Sequence, residues 1–535
     1  MNEIQSNISI TSEDFCLNTE AYLKLIEHLH DRRRAARVGG TEKARKRHLE
    51  RGRILPRDRV EALLDPGSPF LEIADLCGDG LYEGVPPGAS IITGIGQVSG
   101  RNCMIIANDT TVKGGTYFTM TAKKHVRAQK IAWENRLPCI TLVDSGGAFL
   151  PEQAGIFPDE GQFGSIFFQQ IRMSADGIPQ IAVVMGPSTA GGAYIPALCD
   201  EAIIIRQQGY MFLGGPELTR AATGEVIDRE ALGGADMHCN ISGVTDHIAD
   251  NDAHALAIVR DVVDRLGDKP QRLRQVREPE PPLHDPREIY GIISRDVKCP
   301  TDNRQIVARL VDGSRFQEFK ANYGPSLLCG FAHINGYEVG ILANNGVLFS
   351  ECALKAAHFI SLCCQRDIPL LFLADVAGFM VGREAEESGI AKHGAKMISA
   401  MCAANVPKYT IAIGGSFGAG YLAMCGRAFR PRAMFSWPHG RLAIMGPDQA
   451  ANTLATVRRS SLELEGKPWT LDEEAEFKKP IHKLYDDFAS PYNFARHLWI
   501  DNVIDPLETR EVMTLLLDIA ARVPSEPTKF NVFRF

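Results

Sequence analysis

The sequence predicts an α/β protein that carries two tandem copies of one domain. At 535 residues the chain exceeds what a single hydrophobic core usually holds, so two large domains are expected. Strand-like and helix-like stretches alternate within each half, which is typical of layered α/β folds. Short segments also recur in the same order at a nearly constant separation. Together these observations predict an internal duplication.

The repeat is visible in pairs of matching segments. Pro138 precedes a strand-like run that ends at Asp144, and Pro369 precedes a similar run that ends at Asp375, at the same separation along the chain. Further pairs follow in the same order, namely 65–73 with 311–319, 94–109 with 330–345, and 215–217 with 446–448. Chance could explain one such pair but not an ordered series, so we interpret the two halves as copies of one unit.

The domain boundaries follow from this repeat. An N-terminal domain is predicted over residues 1–266 and a C-terminal domain over residues 289–535. The segment between them, 267–288, is rich in proline and charge, as expected of an exposed linker. Helix-like stretches predict helices in both domains, over residues 119–136, 162–176, 350–366 and 387–404.

Each domain also contains a buried strand that leads into a glycine-rich turn. The strands are predicted over 178–186 and 406–415, and the turns with the helix starts that follow lie within 187–198 and 415–424. Glycine permits dihedrals and close approaches that other residues avoid. The first amides of a helix lack partners within that helix, so such a turn can bind a negatively charged oxygen.

One interpretation of the second turn is a nucleophilic serine. Residues 414–418 fit the G-x-S-x-G pattern of serine hydrolases around Ser416, and Asp448 and His482 follow in the chain order that such an enzyme needs. A purely structural interpretation is also open, because glycine allows a helix and a strand to pack closely.

A comparison of the two turns favours a different chemistry. Gly191 and Gly418 are separated by slightly less than the other matching pairs, which implies a four-residue indel and places Thr189 opposite Ser416. The shared feature is therefore the pair of small residues rather than the serine. An oxyanion hole requires only preorganised backbone donors. Two such holes would serve two reactants that both carry a carbonyl group.

Composition and charge exclude several classes of protein. A net charge of −7 argues against nucleic-acid binding, and no apolar run approaches the length of a membrane helix. The first residues, MNEIQSNISITSEDF, lack the features of a signal or transit peptide, which predicts a cytoplasmic location. The 13 cysteines contain no C-x-x-C pair, so a reduced protein without a zinc ribbon is expected.

Two further segments carry chemistry-bearing residues. The basic segment 32–53 is interpreted either as solvated helix faces or as a site for a phosphate-bearing ligand or an acidic partner. A group of His, Cys and Asp residues between 238 and 254 has no standard ligand spacing, so no metal site is predicted. Its members are His238, Cys239, Asp246, His247, Asp250 and His254.

Long, ordered stretches resemble one known family. In the first half these include VKGGTYFTMTAKKHVRAQKIAWENRLPCI, VDSGGAFLPEQAGIFPD, TAGGAYIPAL and FLGGPELTRAATGE. In the second half they include ILANNGVLFSE, GFMVGREAEESGIAKHGAK and GGSFGAG. From about residue 20 to the final FNVFRF, the chain resembles the carboxyltransferase (β) subunit of biotin-dependent acyl-CoA carboxylases. It is most similar to the 3-methylcrotonyl-CoA branch, because Phe149 stands where propionyl-CoA relatives carry arginine.

This resemblance implies a fold and a set of site residues. The fold would be a tandem duplication of the crotonase-like (ClpP-like) ββα spiral domain, with the active site between the N-terminal domain of one subunit and the C-terminal domain of another. The amides of Gly191 and Gly192 would hold the thioester carbonyl, and those of Ala419 and Gly420 the ureido carbonyl of carboxybiotin. The remaining substrate-binding residues would be Gly146, Gly147, Ala148, Phe149, Tyr194, Ala377, Gly378, Phe379, Tyr421 and Leu422.

The resemblance also implies cofactors and partners. Biotin would arrive as carboxybiotin on a biotin carboxylase/carrier α subunit, a coenzyme A thioester would be the substrate, and ATP and Mg would act only on the partner. The β chains would form a homo-oligomer, a hexamer within an α6β6 complex of leucine catabolism. Ala395-Lys396-Met397 resembles part of a biotin attachment site, but it lies in a helix-like run and lacks the leading Met.

Two departures from the family pattern leave the acyl group open. The sequence Tyr421-Leu422-Ala423-Met424 replaces a usual Asn-Tyr-Gly-Met, and Ala374-Asp375-Val376-Ala377 replaces a usual Gln-Asn-Ile-Thr. Geranyl-CoA or another acyl-CoA is therefore an alternative substrate. A biotin-dependent decarboxylase that uses the same two holes is an alternative activity, and a scaffold without catalysis is a third class.

Overall fold

A computed structural model describes residues 2–295 and 301–534. It divides into two compact units. The unit that we call N-terminal comprises His30–Gln271 and Ala495–Leu498. The C-terminal unit comprises Met1–Leu29, Arg272–Phe494 and Trp499–Phe535. The segment that ends at Leu29 thus groups with the second half of the chain, whereas the sequence-based boundary began the N-terminal domain at residue 1.

The strands, in chain order, are β1 Asn2–Glu3, β2 Phe70–Glu72, β3 Ile91–Val98, β4 Arg101–Asn108, β5 Cys139–Ser145, β6 Gln180–Thr189, β7 Glu201–Ile205, β8 Tyr210–Phe212, β9 His247–Ala249, β10 Arg315–Glu318, β11 Leu327–Ile334, β12 Tyr337–Asn344, β13 Leu370–Val376, β14 Lys408–Phe417, β15 Ala433–Ser436, β16 Arg441–Ala443 and β17 Asn502–Val503.

The α-helices are α1 Glu13–Val38, α2 Glu42–Glu50, α3 Pro56–Leu63, α4 Thr119–Glu134, α5 Gln153–Ile156, α6 Phe163–Ala175, α7 Tyr194–Ala197, α8 Pro216–Thr223, α9 Arg229–Gly233, α10 Ala235–Met237, α11 Asp252–Asp264, α12 Ile289–Ile292, α13 Asn303–Leu310, α14 Ser350–Gln365, α15 Arg383–Glu387, α16 Ile390–Ala403, α17 Gly418–Ala423, α18 Pro447–Leu464, α19 Leu471–Ala489, α20 Pro491–Arg496 and α21 Thr509–Ala520.

The two units contain the same sheet. In the N-terminal unit the strand order is β2-β3-β4-β5-β6-β7-β9, with β8 beside β6. In the C-terminal unit it is β10-β11-β12-β13-β14-β15-β17, with β16 beside β14 and β1 added at the β10 edge. Each sheet begins with antiparallel pairs and continues with parallel ones. The predicted α/β duplication is confirmed.

The central strands are apolar because both of their faces are covered. β5 and most of β13 are buried along their length, as expected of parallel strands that have helices packed against the sheet. Ile105, Leu142 and Val183 belong to the core of the N-terminal unit, and Leu342 and Phe372 to that of the C-terminal unit. These cores hold the ends of β5, β6, β13 and β14 in place.

The four predicted helices are confirmed as α4, α6, α14 and α16. The largest difference is at α16, which begins at Ile390 rather than 387 because Gly389 adopts a left-handed φ of 79° and separates it from α15. The helix starts after the glycine turns are short, with four residues in α7 and six in α17. Among the described residues, the helices do not reach the length and apolarity of a membrane span.

Candidate active site

The two glycine turns lie at equivalent places in the two sheets. Each turn follows the strand at the middle of its parallel group, and the first residue after the strand is left-handed, Ala190 with φ 55° and Gly418 with φ 54°. Such a conformation is uncommon for alanine and unstrained for glycine. The backbone therefore reverses in the same way in both units.

The strand register corrects the sequence-based alignment of the turns. Ser188 pairs with Ser145 of β5, and Ser416 pairs with Val376 of β13. Ser188 is thus the counterpart of Ser416, and the predicted match of Thr189 with Ser416 was wrong. This register shortens the predicted indel in the preceding loop by one position. Sequence alone could not place this gap because both turns are rich in small residues.

With this register, the four predicted oxyanion donors occupy matching positions. Gly191 corresponds to Ala419, and Gly192 corresponds to Gly420. The first residue of each pair is accessible, since Gly191 is half-buried and Ala419 is exposed, whereas Gly192 and Gly420 are buried. The amides of Ala419 and Gly420 lie in the first turn of α17, where a helix offers no acceptor. The turn of the N-terminal unit is instead a 3₁₀ turn over Ala190–Ala193.

A buried carboxylate abuts each turn from the neighbouring strand. Asp144 lies near the end of β5 and Asp375 near the end of β13, and both backbone amides donate to an asparagine side chain of the adjacent strand. A Cβ atom at Gly186 would lie 1.9 Å from Asp144 Oδ1, and one at Gly414 would lie 2.2 Å from Asp375 Oδ1. Glycine is therefore required at both positions, just before each turn.

The two carboxylates are stabilised differently. Asp144 accepts from the buried Arg59 at 3.0 Å, and Arg59 Nε donates to Asp252 at 3.0 Å. Asp375 accepts from the Asn303 side-chain amide at 3.0 Å and from the amide of Gly415 at 3.0 Å. Burial raises the pKa of the Asp375 carboxyl, and these two hydrogen bonds oppose that rise. The first arrangement fixes the end of β5 beside the first turn, and the second joins the end of β13 to Gly415 of β14, the strand from which the second turn emerges.

The loop of Gly146 and Gly147 is held by its own amides. The Gly146 N–H donates to the carbonyl of Gly114 at 2.9 Å, and the Gly147 N–H donates to Ser145 Oγ at 3.1 Å. Gly147 has φ 98° and its counterpart Gly378 has φ 140°, a region that favours glycine. These glycines follow β5 and β13, the strands beside those that lead into the turns, and the amides of Gly146 and Gly147 are already engaged within the unit.

Aromatic rings border the first turn, and the central one, Phe163, is not among the site residues predicted from the sequence. A Cβ atom at Gly191 would lie 3.1 Å from Phe163 Cε1, so this ring covers the turn. Phe163 contacts Tyr117 edge to face at 5.0 Å between centroids, and Phe167 links it to Tyr194. The aromatic spacing in FGSIFF was the available signal, but it predicts only one side of an amphipathic helix.

Phe149 lies in a neighbouring aromatic group rather than on Phe163. Its ring contacts Phe118 at 5.0 Å between centroids, and Phe118 stacks on Tyr82 at 4.7 Å. Phe149 is 37% exposed, so it presents a face to solvent, and Ala148 beside it forms a bridge with Tyr117. The predicted residues Ala148 and Phe149 are therefore joined to the first turn through Tyr117.

The second turn packs more tightly than the first. A Cβ atom at Gly420 would lie 2.9 Å from Val376 Cγ2 and 3.2 Å from Gly378 Cα. Tyr421 points its hydroxyl at the Arg427 amide, which donates to it at 2.8 Å, and burial raises the pKa of Tyr421. The other predicted residues lie alongside: Ala377 follows β13, Phe379 lies close to Gly394, and Leu422 is half-buried in α17.

The structure does not support a nucleophilic serine. Ser416 is 1% exposed, and within the described residues its Oγ has no hydrogen-bond partner. His482 pairs with Asp448 at 3.4 Å rather than with this serine. A serine nucleophile requires a base within hydrogen-bond reach and access to the substrate. The alternative of a serine hydrolase is therefore set aside.

A basic cavity of about 960 Å³ adjoins the Gly146 loop. It lies between the end of α1, α2 and the segments 84–86 and 110–114. Gly114 lines the cavity, and its carbonyl is the acceptor of the Gly146 amide. The cationic side chains that line it are Arg45, Arg47, Arg51, Arg53 and Lys113.

A close contact between the backbones of Gly40 and Thr111 brings together two segments that line this cavity. A Cβ atom at Gly40 would lie 1.9 Å from the carbonyl oxygen of Thr111, and the Gly40 amide donates to Thr111 Oγ1 at 2.9 Å. This contact holds the start of α2, capped by Thr41, beside the 110–114 segment. The buried Nε of Arg45 has no hydrogen-bond partner among the described residues. Part of the basic segment 32–53 therefore lines a concave site.

The group between His238 and His254 is engaged in ordinary contacts. His238 bonds with Ser242 and with the carbonyl of Met211, and Cys239 contacts Thr245. In the part of the chain that the structure describes, no three His, Cys, Asp or Glu side chains are grouped as metal ligands. Lys396 lies in α16, as the sequence predicted.

Known proteins are similar to this chain over nearly its whole length. Residues 47–532 match the carboxyl transferase domain family. The chain is 55% identical to the 3-methylcrotonyl-coenzyme A carboxylase β1 subunit of Mycobacterium tuberculosis, and the match covers 96% of this chain and 97% of the relative. It is 52% identical to the methylcrotonoyl-CoA carboxylase β chain of Dictyostelium discoideum, with 98% of this chain and 89% of the relative covered. The crystal structure of the P. aeruginosa geranyl-CoA carboxylase β subunit superposes with a TM-score of 0.90 at 40% identity, covering 99% of both chains. This chain therefore belongs to the carboxyl transferase family.

Proposed function

We propose that this chain is the carboxyltransferase subunit of a biotin-dependent 3-methylcrotonyl-CoA carboxylase. It would transfer a carboxyl group from carboxybiotin to the γ-carbon of 3-methylcrotonyl-CoA and form 3-methylglutaconyl-CoA. The observation that carries this proposal is the pair of equivalent turns, one in each unit, with donors at matching positions. The relatives that are named for the methylcrotonyl substrate, at 55% and 52% identity, support it.

The first turn would stabilise the acyl-CoA reactant. Removal of a γ-proton from the enoyl thioester places negative charge on the thioester oxygen, and the amides of Gly191 and Gly192 would bind that oxygen. Gly146 and Gly147 shape the wall beside the turn. Because the donors are backbone groups beside a strand end that Asp144 and Arg59 fix, little reorganisation is required when charge develops.

The second turn would bind the ureido oxygen of the biotin group. The exposed Ala419 and the amides in the first turn of α17, which have no acceptor within that helix, fit a carbonyl oxygen. The amides of Ala419 and Gly420 would hold carboxybiotin, which would supply both the CO₂ and the basic nitrogen for the γ-proton. The chain's own residues then provide binding, orientation and charge stabilisation, and no protein side chain has to act as the base.

The position of Phe163 favours a substrate with a short acyl group. Its ring covers Gly191 and is fixed by Tyr117 and Phe167, so it limits the depth available beyond the thioester carbon. A branched five-carbon acyl chain suits such a site better than a ten-carbon chain.

Replacing Phe163 with alanine is expected to open this site to longer chains. The removed ring leaves space for additional methylene groups, so we expect the ratio of kcat/KM for geranyl-CoA to that for 3-methylcrotonyl-CoA to rise about tenfold or more. The matched control is Phe168→Ala, which removes an exposed ring from the same helix and should leave the ratio unchanged. An unchanged ratio in Phe163→Ala would show that the acyl chain lies elsewhere.

The basic cavity would hold the phosphates of coenzyme A. Guanidinium groups bind phosphate through charge-assisted hydrogen bonds, and Gly114 connects the cavity to the loop beside the first turn. We therefore favour a phosphate-binding role for the basic segment 32–53 over the interpretation as solvated helix faces.

Replacing Arg45 with alanine is expected to weaken the binding of acyl-CoA. Loss of one such contact should raise KM about tenfold with kcat nearly unchanged, because the phosphates lie far from the reacting carbon. The effect should vanish with the pantetheine thioester, which lacks those phosphates. Lys46→Ala, an exposed neighbour that does not line the cavity, is the control. Equal effects on both substrates would contradict the assignment.

The proposed activity is tested with the purified complex of this chain and its biotin-carrying partner. We expect ATP- and Mg-dependent carboxylation of 3-methylcrotonyl-CoA at a higher kcat/KM than of geranyl-, propionyl- or acetyl-CoA, with the chain alone inactive. Preference for geranyl-CoA would favour the alternative substrate, and net decarboxylation without ATP would favour the decarboxylase. Sedimentation of the isolated chain tests the hexamer that the family resemblance implies.

A further inference from the structure

The two turns differ in one internal hydrogen bond. Ser188 and Ser416 occupy equivalent positions, flanked by Ser145 and Met211 in one unit and by Val376 and Leu442 in the other. Both side chains are buried, with 0% and 1% exposure. Ser188 Oγ donates to the carbonyl of Gly192 at 2.8 Å, whereas within the described residues Ser416 Oγ has no partner.

The residue that opens each turn differs as well. Ala190 has a φ of 55°, where its Cβ crowds the backbone, whereas Gly418 adopts φ 54° without that cost. The first turn is therefore strained at Ala190 and closed by the Ser188 bond across it. In the part of the chain that the structure describes, the second turn has neither the strain at its first residue nor a hydrogen bond from Ser416. A residue held in an unfavourable region persists only where its surroundings determine it.

The hydrogen bond acts on the peptide groups that the site uses. It fixes the carbonyl of Gly192 and so fixes the ψ angle of that residue, which follows directly on the Gly191 and Gly192 amides. No side chain has to touch the substrate for this effect. The bond is shielded from water because Ser188 is fully buried, and a shielded bond keeps its geometry better than an exposed one.

We propose that Ser188 is a positioning residue that sets the first turn before acyl-CoA binds, and that Ser416 has no such role in the second turn. This inference rests on the proposed function. It predicts an asymmetry between the two half-reactions, although both turns begin with a left-handed residue after equivalent strands. The acyl-CoA half-reaction depends on the hydrogen bond from the Ser188 side chain, and the biotin half-reaction depends on glycine and close packing alone.

The test compares Ser188→Ala with Ser416→Ala in the complex with the biotin-carrying partner. Both changes remove one buried hydroxyl from the same place in the fold. Ser188→Ala is expected to lower kcat for acyl-CoA carboxylation about tenfold to a hundredfold, with KM for acyl-CoA changed less than about threefold. The decay of carboxybiotin without acyl-CoA should stay at the wild-type rate. Ser416→Ala should match wild type in both assays.

A second variant separates positioning from folding. Ser188→Cys keeps the shape and a weak donor, so its kcat should lie between those of wild type and Ser188→Ala. Equal loss of kcat in Ser188→Ala and Ser416→Ala would overturn the proposal, as would equal slowing of both half-reactions in Ser188→Ala or an unchanged kcat. Failure of the proposed function is distinguishable, because the wild-type complex would then carboxylate none of the acyl-CoA substrates.

Discussion

The Gly420→Val variant is expected to lose both the carboxylation of acyl-CoA and the decay of carboxybiotin. The added side chain would meet Val376 at 2.9 Å and the backbone of Gly378 at 3.2 Å even at its Cβ atom, so the second turn must shift. Displacing an oxyanion donor costs about 3 kcal/mol in the barrier, or roughly two to three orders of magnitude in rate. Because carboxybiotin held there would supply both the CO₂ and the base, the acyl-CoA step should fail with it.

This result is measured as carboxybiotin decay on the partner subunit, with and without enoyl-CoA. Circular dichroism and thermal unfolding should show a folded chain, because the change lies in a turn after β14 rather than among the central strands of the sheet. Retention of the wild-type decay rate in a folded Gly420→Val complex would show that the second turn does not bind the ureido oxygen.

The Gly191→Val variant is expected to lose only the acyl-CoA step. Its Cβ atom would lie 3.1 Å from the ring of Phe163, which is fixed by neighbouring rings, so the first turn would be displaced and its opening narrowed. We expect a loss of about two orders of magnitude or more in acyl-CoA carboxylation. Slow decay of carboxybiotin should continue, because that step uses the other turn.

The two glycine variants serve as controls for each other. Both introduce the same side chain at a donor position, and the thermal unfolding of each variant, compared with wild type, shows whether a defect in folding contributes to its loss of activity. If Gly191→Val abolished carboxybiotin decay and Gly420→Val spared it, the substrates would be assigned to the wrong turns. If neither variant lost activity, the oxyanion mechanism would fail.

The duplication and the positions of its strands and helices could be predicted from local sequence patterns. Pro138 and Pro369 each precede a buried strand, and the helices at 119 and 350 begin where the pattern places them. Such features depend on local hydrophobic periodicity and on residues such as proline and glycine, whose dihedral preferences act over a few residues. The same reasoning located both turns after β6 and β14.

The alignment of the two turns is a feature that such local patterns do not predict. Sequence matching paired Thr189 with Ser416, whereas the strand pairing places Ser188 there. A run of small residues can be aligned in several ways at nearly equal similarity. Only the hydrogen bonds between strands, which join segments that lie far apart in the sequence, select one register.

The sequence by itself determined the α/β class, the two copies, the glycine turns and the family to which they point, because these depend on residue type and short-range order. Only the tertiary structure decided that Phe163 covers Gly191, that Gly114 joins the basic cavity to the Gly146 loop, and that among the described residues Ser188 but not Ser416 closes its turn. Those contacts bring together residues from different strands and helices. Their distances are set by the packing of the whole unit, which no local pattern encodes.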